Sequence, residues 1–384
     1  MKVMIVAGEP SGDLHASHVV NALKAIDPNI ILTGMGGDMM AKAGVSLQIH
    51  IHDSAVMGFA DALAVLPKFL RKLAILKQHI RQHQPDALLL IDFAEFNMPL
   101  AKFAYRHNVR VIYYIPPKAW AWRGGRAKKL AKRTNVIASI FPFETEFYRN
   151  AGAPAEFVGH PLVDFANCKL NVKEAREKLN LKNDTHVIGL MPGSRRSEVQ
   201  RHLPIMLKAA SNIAKTFPDS EWILPLAPGI SETLVANCKE GIEKLPNIKL
   251  IQGETYTAMR AATVLLIASG TATLEATCIG TPMIIVFRTS WHNWHIIRAL
   301  TPLENSGLPN LIANKRIVPE LLQENLTPDT LTEHALELLQ NLDKRNEQCE
   351  ALQSVYQQLG TSGAAERTAQ LIVEQIESAH NPHK

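Results

Sequence analysis

Short apolar runs alternate with segments of helical periodicity over most of this 384-residue chain. This alternation is typical of βαβ units, in which parallel strands are joined by helices that cover both faces of a sheet. The pattern occurs twice, so the sequence predicts two doubly wound, Rossmann-like α/β domains. The first series of runs covers residues 3–7, 87–91, 111–115 and 136–140, and the second covers residues 186–191, 222–226, 248–251, 264–268 and 282–287.

Two domains also suit the size of the chain, because 384 residues with 46% apolar content exceed what one ordinary core accommodates. The polar, lysine-rich stretch 164–183 indicates a linker that leads into the first helix of the second domain. We therefore expect an N-terminal domain at 1–165, a second domain at 166–345 and C-terminal helices at 346–384. Periodicity leaves open whether those last helices stay with the second domain or pack back on the first.

Composition argues against an exported or membrane-spanning protein. The four cysteines are far apart and form no CxxC pair, so we interpret them as packing residues in a reducing compartment. No apolar run approaches the about 18 residues that a spanning helix needs. A cytoplasmic chain is therefore expected.

Lysines and arginines are concentrated in one part of the first predicted domain. No carboxylate lies between Glu95 and Glu144, an interval that holds ten of these cations. Such a block creates a positive field that favours phosphates, anionic lipid or nucleic acid, although a solvated helix face has the same composition. The neighbouring aromatics do not follow an RNA-module pattern, so no nucleic-acid partner is expected.

Open parallel sheets bind ligands at the carboxyl ends of their strands, so the loops after the apolar runs are the candidate site. The loop 8–13 contains Ser11, Gly12 and Asp13, with neither a GxGxxG pattern nor a Walker lysine. These residues are acceptor or cleft candidates, because Gly12 lets a ligand approach the backbone at a helix start. The alternative is a capped turn, with Ser11 or Asp13 as the cap.

Asp92 directly follows the apolar run 87–91. A carboxylate at the end of a buried strand needs support from hydrogen bonds or charges, and a raised pKa there suits a general base. An aspartate that caps the next helix is the alternative.

An aromatic loop with prolines and cations follows the run 111–115. Its residues Trp120, Trp122 and Arg123 suit sugar faces and phosphates, and core packing of one tryptophan is the alternative. His160, at the approach to the linker, is a further candidate, although a lone histidine is more often a hydrogen-bonded structural residue.

Two loops of the second domain predict anion-binding sites. Gly193, Ser194 and Arg195 lie between a strand and a helix start, where backbone amides, a hydroxyl and a guanidinium converge. In the other loop, Glu275 follows one turn into a helix, where it can accept from ribose hydroxyls or act as a helix-dipole partner. The small residues that open this second helix are Ser269, Gly270, Thr271 and Ala272.

Together these loops predict an enzyme that binds a nucleotide diphosphate opposite an acceptor. No DxD-like or His-rich cluster accompanies them, and His292 and His295 have no acidic or cysteine ligand nearby in the sequence. No metal and no cofactor are therefore expected.

Eight short motifs occur in an order that resembles the lipid-A-disaccharide synthases, from residue 3 to about residue 325. The resemblance implies a GT-B fold, with two domains facing a cleft, and an inverting transferase. It implies UDP-2,3-diacylglucosamine as donor, 2,3-diacylglucosamine 1-phosphate as acceptor, and the β-1,6-linked disaccharide 1-phosphate plus UDP as products. The motifs are GEPSGD at 8–13, AVMGF at 55–59, IDFAEFN at 91–97, KAWAWR at 118–123, GHPLVD at 159–164, PGSR at 192–195, SGTATLE at 269–275 and LPNLIA at 308–313.

The resemblance also implies roles for single residues. The family's essential aspartate falls on Asp92, its PGSR arginine on Arg195, and the asparagine of its LPNL segment, taken as donor-binding, on Asn310. The chain departs from the family pattern at Glu95, where a Pro-Asp pair is common, and at Pro116, often a serine. Glu95 is therefore left without an assigned role.

Residues 63–80 have an amphipathic pattern with basic charge, and no acid lies between residues 61 and 86. Such a helix can lie on an anionic membrane surface and collect acylated substrates there, whereas an ordinary surface helix is the alternative. The expected location is then peripheral, at the inner membrane. The apolar members are Leu63, Leu66, Leu70, Leu73 and Ile80, and the cations are Lys68, Arg71, Lys72 and Lys77.

Other functions remain open at this point. Another GT-B UDP-sugar enzyme, such as a lipid-linked N-acetylglucosaminyl transferase or a UDP-sugar epimerase, is the nearest alternative. A nucleotide-sugar sensor without catalysis, or an RNA-binding protein, is an alternative of another class. Acyl chain length, the residues that bind acyl chains and the oligomeric state, with a homodimer among the options, are also left open.

Overall fold

The computed structural model describes residues 1–51, 62–122, 124–166, 168–239, 247–300 and 307–380. The AVMGF motif at 55–59 and Arg123 lie outside these residues. The chain divides into two compact units, one formed by Met1–Pro161 with Leu359–Lys384 and the other by Leu162–Gln358. Each unit contains a parallel sheet, so the predicted α/β class is confirmed. Among the described helices, none is long and apolar enough to cross a membrane.

The first unit is built on a seven-stranded sheet whose strand order is β3-β2-β1-β4-β5-β6-β7. Strands β1 and β4 are central neighbours, with Ala7 opposite Ile91. The loops that follow these two strands therefore leave the sheet side by side. The strands are β1 (Lys2–Ala7), β2 (Ile31–Gly36), β3 (Ser46–His50), β4 (Ala87–Ile91), β5 (Arg110–Tyr114), β6 (Val136–Ser139) and β7 (Ala155–Phe157).

Helices cover the first sheet, which explains why all five residues of β4 are buried and apolar. The helices α3 and α4 contact each other and share a core with alternate residues of β1 and β4, among them Met4 and Leu88. The helix α18 contacts α1, β4 and β5. The helices are α1 (Pro10–Ile26), α2 (Asp38–Lys42), α3 (Ala62–His83), α4 (Ala94–Arg106), α5 (Ala119–Trp122), α6 (Gly124–Ala131), α7 (Pro142–Asn150) and α18 (Ala364–His380).

The second unit has a six-stranded parallel sheet with the order β10-β9-β8-β11-β12-β13. Successive residues of one strand point to opposite faces, so Leu266 lies in one core and its neighbours Leu265 and Ile267 lie in the other. The strands are β8 (Val187–Met191), β9 (Glu221–Leu226), β10 (Ile248–Gln252), β11 (Val264–Ala268), β12 (Met283–Phe287) and β13 (Glu320–Leu322).

The helices of the second unit include the two that open at its predicted anion loops, α10 and α13. A short 3-10 turn at Gln323–Asn325 follows β13. The helices are α8 (Leu162–Phe165), α9 (Val172–Lys178), α10 (Arg196–Thr216), α11 (Glu232–Lys239), α12 (Thr255–Ala261), α13 (Thr271–Ile279), α14 (Trp291–Leu300), α15 (Leu308–Ala313), α16 (Pro328–Gln340) and α17 (Leu342–Gln358).

The observed division differs from the expected bounds at 165 and 345. Residues 162–165 form α8, which contacts α13, so the second unit begins earlier. The stretch 164–183 is integrated into that unit, because the buried Arg176 of α9 donates to the carbonyl oxygens of Ala261 and Asn183. The helix α17 contacts α13, α15 and α16, so residues 346–358 stay with the second unit.

Only the segment from Leu359 onward returns to the first unit. Two hydrogen bonds link it to residues before 162: Arg367 Nε donates to the Val158 carbonyl oxygen at 2.7 Å, and the His160 N–H donates to the Leu359 carbonyl oxygen at 2.8 Å. The last helix therefore completes the unit with which the chain begins.

Candidate functional site

Asp92 follows β4 directly, at the carboxyl edge of the first sheet, in a left-handed backbone conformation. Its φ is 46° and that of Phe93 is 42°, which is uncommon for residues other than glycine. The Tyr113 hydroxyl and Asn97 Nδ2 donate to the Asp92 carbonyl oxygen at 2.6 and 2.8 Å. These buried partners hold a strained bend, a feature that clusters at functional sites.

The Asp92 side chain is half-buried, and this burial raises its pKa above the ordinary value. A hydrogen bond from the Phe93 backbone and the charge of Lys118 oppose the rise, whereas Glu95 adds to it. A raised pKa makes the carboxylate a better proton acceptor. The alternative role of a helix cap is not observed, because Phe93 is the N-cap of α4 and no side chain caps it.

Glu95 has the contacts of a surface residue and not those of a general base. Its side chain is exposed, and Oε1 accepts a hydrogen bond from Arg126 Nη2 of α6 at 2.8 Å. This ion pair links α4 to α6 on the surface of the first unit, which is a structural role for Glu95.

Two of the three candidates in the loop 8–13 have internal roles. The Asp13 carboxylate is buried and accepts from the backbone N–H groups of Gly37, Met39 and Met40 at 2.7, 3.0 and 3.1 Å. Asp13 is thus a cap, but of α2 and not of its own helix. Gly12 lies against the ends of β1 and β4, whereas Ser11 is exposed.

Trp120, in the short helix α5, is connected to a residue that the sequence did not single out. Its Nε1 donates to Glu144 Oε1 at 3.1 Å, and its ring meets Phe143 edge-on at 5.1 Å. The side chain of Trp122, like the whole of Arg123, lies outside the described part of the chain.

Glu144 is 1% exposed, and its Oε2 has no hydrogen-bond partner. Burial raises its pKa to about 8, and the Trp120 bond, the Ile140 backbone and the charge of Lys118 oppose this rise. In the sequence, Glu144 stands out only as the carboxylate at which the basic block ends. Its position soon after β6, in the first turn of α7, follows the same strand-end rule that selected Asp92.

His160 is buried between the first sheet and the returning segment. Its backbone N–H donates to the Leu359 carbonyl oxygen at 2.8 Å, and its ring lies 4.9 Å from that of Phe141. Burial lowers its pKa to about 3, with His15 and Lys118 acting in the same direction. A neutral, packed imidazole of this kind agrees with the structural alternative.

The second unit contains a cavity of about 880 Å³ at the carboxyl edge of its sheet. It brings together the two loops that the sequence predicted to bind anions. Its lining also includes residues that the sequence did not predict as site residues. Among them are Tyr256, after β10, and the ion pair between Glu254 and Lys178 at 2.6 Å. The predicted residues in its lining are Gly193, Ser194, Arg195, Ser269, Gly270, Thr271, Ala272 and Glu275.

The loop 193–195 is held by two side chains of α10. Glu198 Oε2 accepts from the backbone N–H groups of Ser194 and Arg195 at 3.1 and 3.2 Å. The buried His202 bridges two strand-end loops, because its Nδ1 lies 2.7 Å from the Pro192 carbonyl oxygen and its Nε2 accepts from the Arg288 N–H at 2.9 Å. This pairing requires a neutral ring with the proton on Nδ1, and burial lowers the pKa of His202 accordingly.

Glu275 lies in α13 at the second anion loop. It is half-buried in the cavity wall, and burial raises its pKa. None of the ion pairs found in the described residues includes Glu275. Its carboxylate lines the cavity and is therefore suited to accept hydrogen bonds from ligand hydroxyls.

Asn310 is not brought to the cavity. It is 0% exposed, its Nδ2 donates to the Val318 carbonyl oxygen and to Glu320 Oε1, and its Oδ1 accepts from the N–H groups of Ile317 and Val318. All four hydrogen-bonding positions of this amide are in use. In this structure Asn310 therefore fixes the loop before β13 and does not line the cavity.

The amphipathic stretch 63–80 forms most of α3, and its apolar face is divided. Leu73 and Ile80 are buried in the core of the first unit, whereas Leu66 and Leu70 are 51% and 53% exposed. Lys68 and Arg71 of the same helix are also exposed, and the Leu63 side chain lies outside the described residues. Leu66 and Leu70 in the first half of the helix can therefore present apolar side chains to another surface, and further along the helix Ile75 is 38% exposed.

His292 and His295 lie near the start of α14, where His295 packs on the exposed Trp291 ring at 4.2 Å. Within the described ranges no group of three or more His, Cys, Asp or Glu side chains is arranged to hold a metal ion.

Known proteins resemble the chain over nearly its whole length. The family model described as Lipid-A-disaccharide synthetase matches residues 3–375. The lipid-A-disaccharide synthase of Geobacter sulfurreducens is 36% identical over 377 residues, which cover 98% of this chain and 97% of that protein.

Two solved structures resemble the chain in fold alone. The UDP-GlcNAc 2-epimerase from Neisseria meningitidis, bound to UDP-GlcNAc, has a TM-score of 0.60 at 12% identity and covers 98% of this chain and 100% of its own. A glycosyltransferase from Rickettsia africae has a TM-score of 0.60 at 12% identity and covers 98% of each chain. Both likenesses agree with the predicted GT-B architecture. The match to the family model confirms the resemblance that the eight ordered motifs carry, and the chain belongs to the lipid-A-disaccharide synthetase family of glycosyltransferases.

Proposed function

We propose that this chain condenses UDP-2,3-diacylglucosamine with 2,3-diacylglucosamine 1-phosphate, giving the β-1,6-linked disaccharide 1-phosphate and UDP. Family membership supports the transfer of a hexosyl group. The observation that carries the donor assignment is the cavity of about 880 Å³ in which two helix-start loops meet. The Neisseria meningitidis protein of similar fold was solved with UDP-GlcNAc, which supports a UDP-sugar as the ligand.

The donor diphosphate is assigned to the loops 193–195 and 269–272. Helix starts bind anions through free N–H groups and the helix dipole, and Arg195 adds a guanidinium that can bind phosphate in a bidentate way. Glu275 is assigned to the ribose hydroxyls, because it is a half-buried acceptor in the same cavity.

Asp92 is assigned as the general base. It takes the proton from the acceptor 6-hydroxyl as that oxygen attacks the anomeric carbon, and the bond from this carbon to the UDP oxygen breaks. Attack from the face opposite UDP inverts the anomeric carbon and gives the β linkage. Arg195 and the loop amides stabilise the negative charge on the leaving UDP, a role that metals fill in other transferases, and the proposal therefore includes no metal or cofactor.

The acceptor side rests on fewer residues than the sequence suggested. Trp120 is a half-buried aromatic beside Lys118, and Ser11 is exposed at the carboxyl edge of the sheet, so both remain acceptor candidates. Asp13, Gly12 and His160 are assigned to the architecture of the first unit because of their internal contacts.

The first half of α3 is proposed to contact an anionic membrane surface. Leu66 and Leu70 expose apolar area on a helix that also exposes Lys68 and Arg71, and apolar and basic side chains together bind an interface between headgroups and acyl chains. Peripheral association of this kind would bring the enzyme to substrates that carry acyl chains.

The reaction is tested by incubating the purified chain with UDP-2,3-diacylglucosamine, with and without the acylated acceptor. UDP release and the disaccharide product are followed by mass spectrometry. We expect both to depend on the acceptor.

Conversion of the sugar nucleotide without an acceptor would instead indicate an epimerase, which the fold likeness to the Neisseria meningitidis protein makes the second candidate. Absence of any reaction, with UDP still bound, would indicate a nucleotide-sugar sensor. Either result contradicts the proposed transfer.

A further inference from the structure

An acidic side chain occupies the loop to which the donor diphosphate is assigned. Glu198 Oε2 accepts from the N–H groups of Ser194 and Arg195 at 3.1 and 3.2 Å, and its Oε1 accepts from Arg195 Nη1 at 3.0 Å. Two amides and one guanidinium are thus directed to a single carboxylate. We name these three donors the anion cradle.

The loop is closely fitted to this carboxylate. Gly193 has a φ of 120°, and a Cβ atom at this position would lie 2.5 Å from Glu198 Oε2. Glycine is therefore required both for the backbone conformation and for the close approach of the carboxylate. The Arg195 side chain is 81% exposed even with this ion pair in place. Its guanidinium is therefore held at the cavity by Glu198.

A carboxylate and a phosphate group use the same donors and carry charge of the same sign. Both cannot occupy the cradle together, because the N–H groups of Ser194 and Arg195 each have one proton to donate, and two anions at hydrogen-bond distance repel each other. We propose that Glu198 is an internal competitor of the donor diphosphate, which must leave the anion cradle before the sugar nucleotide binds. This inference rests on the proposed function, namely that the cavity binds a UDP-sugar.

The competition has two consequences for catalysis. The displacement of Glu198 frees the Arg195 guanidinium to turn to the diphosphate, so binding of the donor and positioning of the arginine occur together. After transfer, the return of Glu198 to the cradle favours the release of UDP. Glu198 thereby lowers affinity for the nucleotide in both its donor and its product form.

Glu198 also accepts from the backbone N–H of Arg195, the N-cap of α10, which is one half of a capping box, so a purely structural role must be separated from competition. The test is Glu198→Gln, which keeps the length and an acceptor oxygen but removes the charge. Glu174→Gln is a matched control, because Glu174 makes the corresponding bond to the N-cap N–H of α9 in the same unit and does not line the cavity.

UDP binding is measured by isothermal titration calorimetry, and uridine binding by ligand-observed NMR. We expect Glu198→Gln to lower the dissociation constant for UDP by about tenfold, the factor that follows if the cradle is free in about one molecule in ten. The affinity for uridine, which has no phosphate, stays unchanged, and Glu174→Gln leaves both affinities as in the wild type.

A Glu198→Gln protein that is folded by circular dichroism and binds UDP no more tightly than the wild type overturns the inference. If this variant does not fold, Glu198→Asp replaces it, since the shorter side chain retreats from the cradle and must also tighten UDP binding. Failure of the wild-type chain to bind UDP at all would refute the proposed function itself, which is a different outcome.

Discussion

The indole of Trp120 donates its N–H to Oε1 of Glu144, at a distance of 3.1 Å. This bond couples the short helix α5, which carries the aromatic motif, to a carboxyl group that is buried at the start of α7. Because the second carboxyl oxygen has no partner, the neutral form of Glu144 is the one that this environment favours.

Glu144 should make the stability of the protein depend on pH. Its pKa is about 8 in the folded protein against an ordinary value of 4.5, so between these values the folded protein keeps a proton that the unfolded chain has released. Stability therefore falls as pH rises through this window, with a slope approaching about 1.4 kcal/mol per pH unit, and the loss is complete above pH 8. Urea denaturation of the wild type and of Glu144→Gln from acid to alkaline pH measures this, and an equal decline in both proteins would exclude Glu144 as the cause.

Asp92→Asn should abolish most of the turnover while UDP still binds. Removal of a general base typically lowers the rate by about 10²- to 10⁴-fold. Asp86→Asn is the control, because Asp86 immediately precedes the same strand and accepts from the Lys2 backbone N–H at 2.7 Å. Disaccharide formation is measured under single-turnover conditions, and near-normal turnover of Asp92→Asn would remove this residue from the mechanism.

The wild-type rate should also fall in acid. Burial raises the pKa of Asp92, so protonation of the base begins at a higher pH than for an ordinary aspartate. The acid limb of the pH profile of kcat is therefore shifted upward, and an acid limb at the ordinary aspartate value would contradict the assignment.

Asn310→Ala should destabilise the second unit and leave UDP affinity unchanged. The substitution leaves two backbone N–H groups, the Val318 carbonyl oxygen and Glu320 without this partner in a buried site. A loss of about 2–4 kcal/mol in the free energy of unfolding is expected from such unsatisfied groups. Denaturant titration and calorimetry with UDP are the measurements; normal stability with lost UDP binding would support the role that the family resemblance implies.

Leu70→Glu should weaken sedimentation with anionic vesicles at low salt. It places a negative charge on the side of α3 where Leu66 and Leu70 are exposed, four residues apart. Ile75→Glu is a matched control on the same helix, since Ile75 is also exposed and lies about half a turn around the axis from Leu66. Equal binding of the wild type and Leu70→Glu, or no binding by the wild type, would contradict a membrane surface at this position.

The sequence predicts the central strands well, because a continuous apolar run of about five residues between polar segments is typical of a strand buried on both faces. The run 87–91 coincides with β4 and the run 264–268 with β11, and the loops after them contain Asp92 and Ser269 as expected. The strand β2 is not among the predicted apolar runs, because Gly34 and Gly36 give its sequence the composition of a turn. A Cβ atom at Gly34 would lie 1.8 Å from the Ile5 carbonyl oxygen, so glycine there serves close contact with β1.

Contacts between distant parts of the chain could not be predicted in this way. The partners of Asp13 are 24 to 27 residues away, and those of Asn310 belong to the approach to β13, so nothing local distinguishes a structural acceptor from a ligand-binding one. The same holds for Glu144, whose burial is set by helices and loops from several segments. On α3, periodicity indicates one apolar face but not the point at which that face leaves the core.

The helix α18 determines the order in which a growing chain can finish its two units. Residues 162–358 are continuous, so the second unit is complete while the first still lacks α18. Until residues 364–380 emerge from the ribosome, α1, β4 and β5 lack their contacts with α18, and the Val158 carbonyl oxygen lacks the hydrogen bond from Arg367. The unit synthesised first is therefore the last to mature, and a fragment that ends at residue 161 would be aggregation-prone, because its apolar surface has no cover.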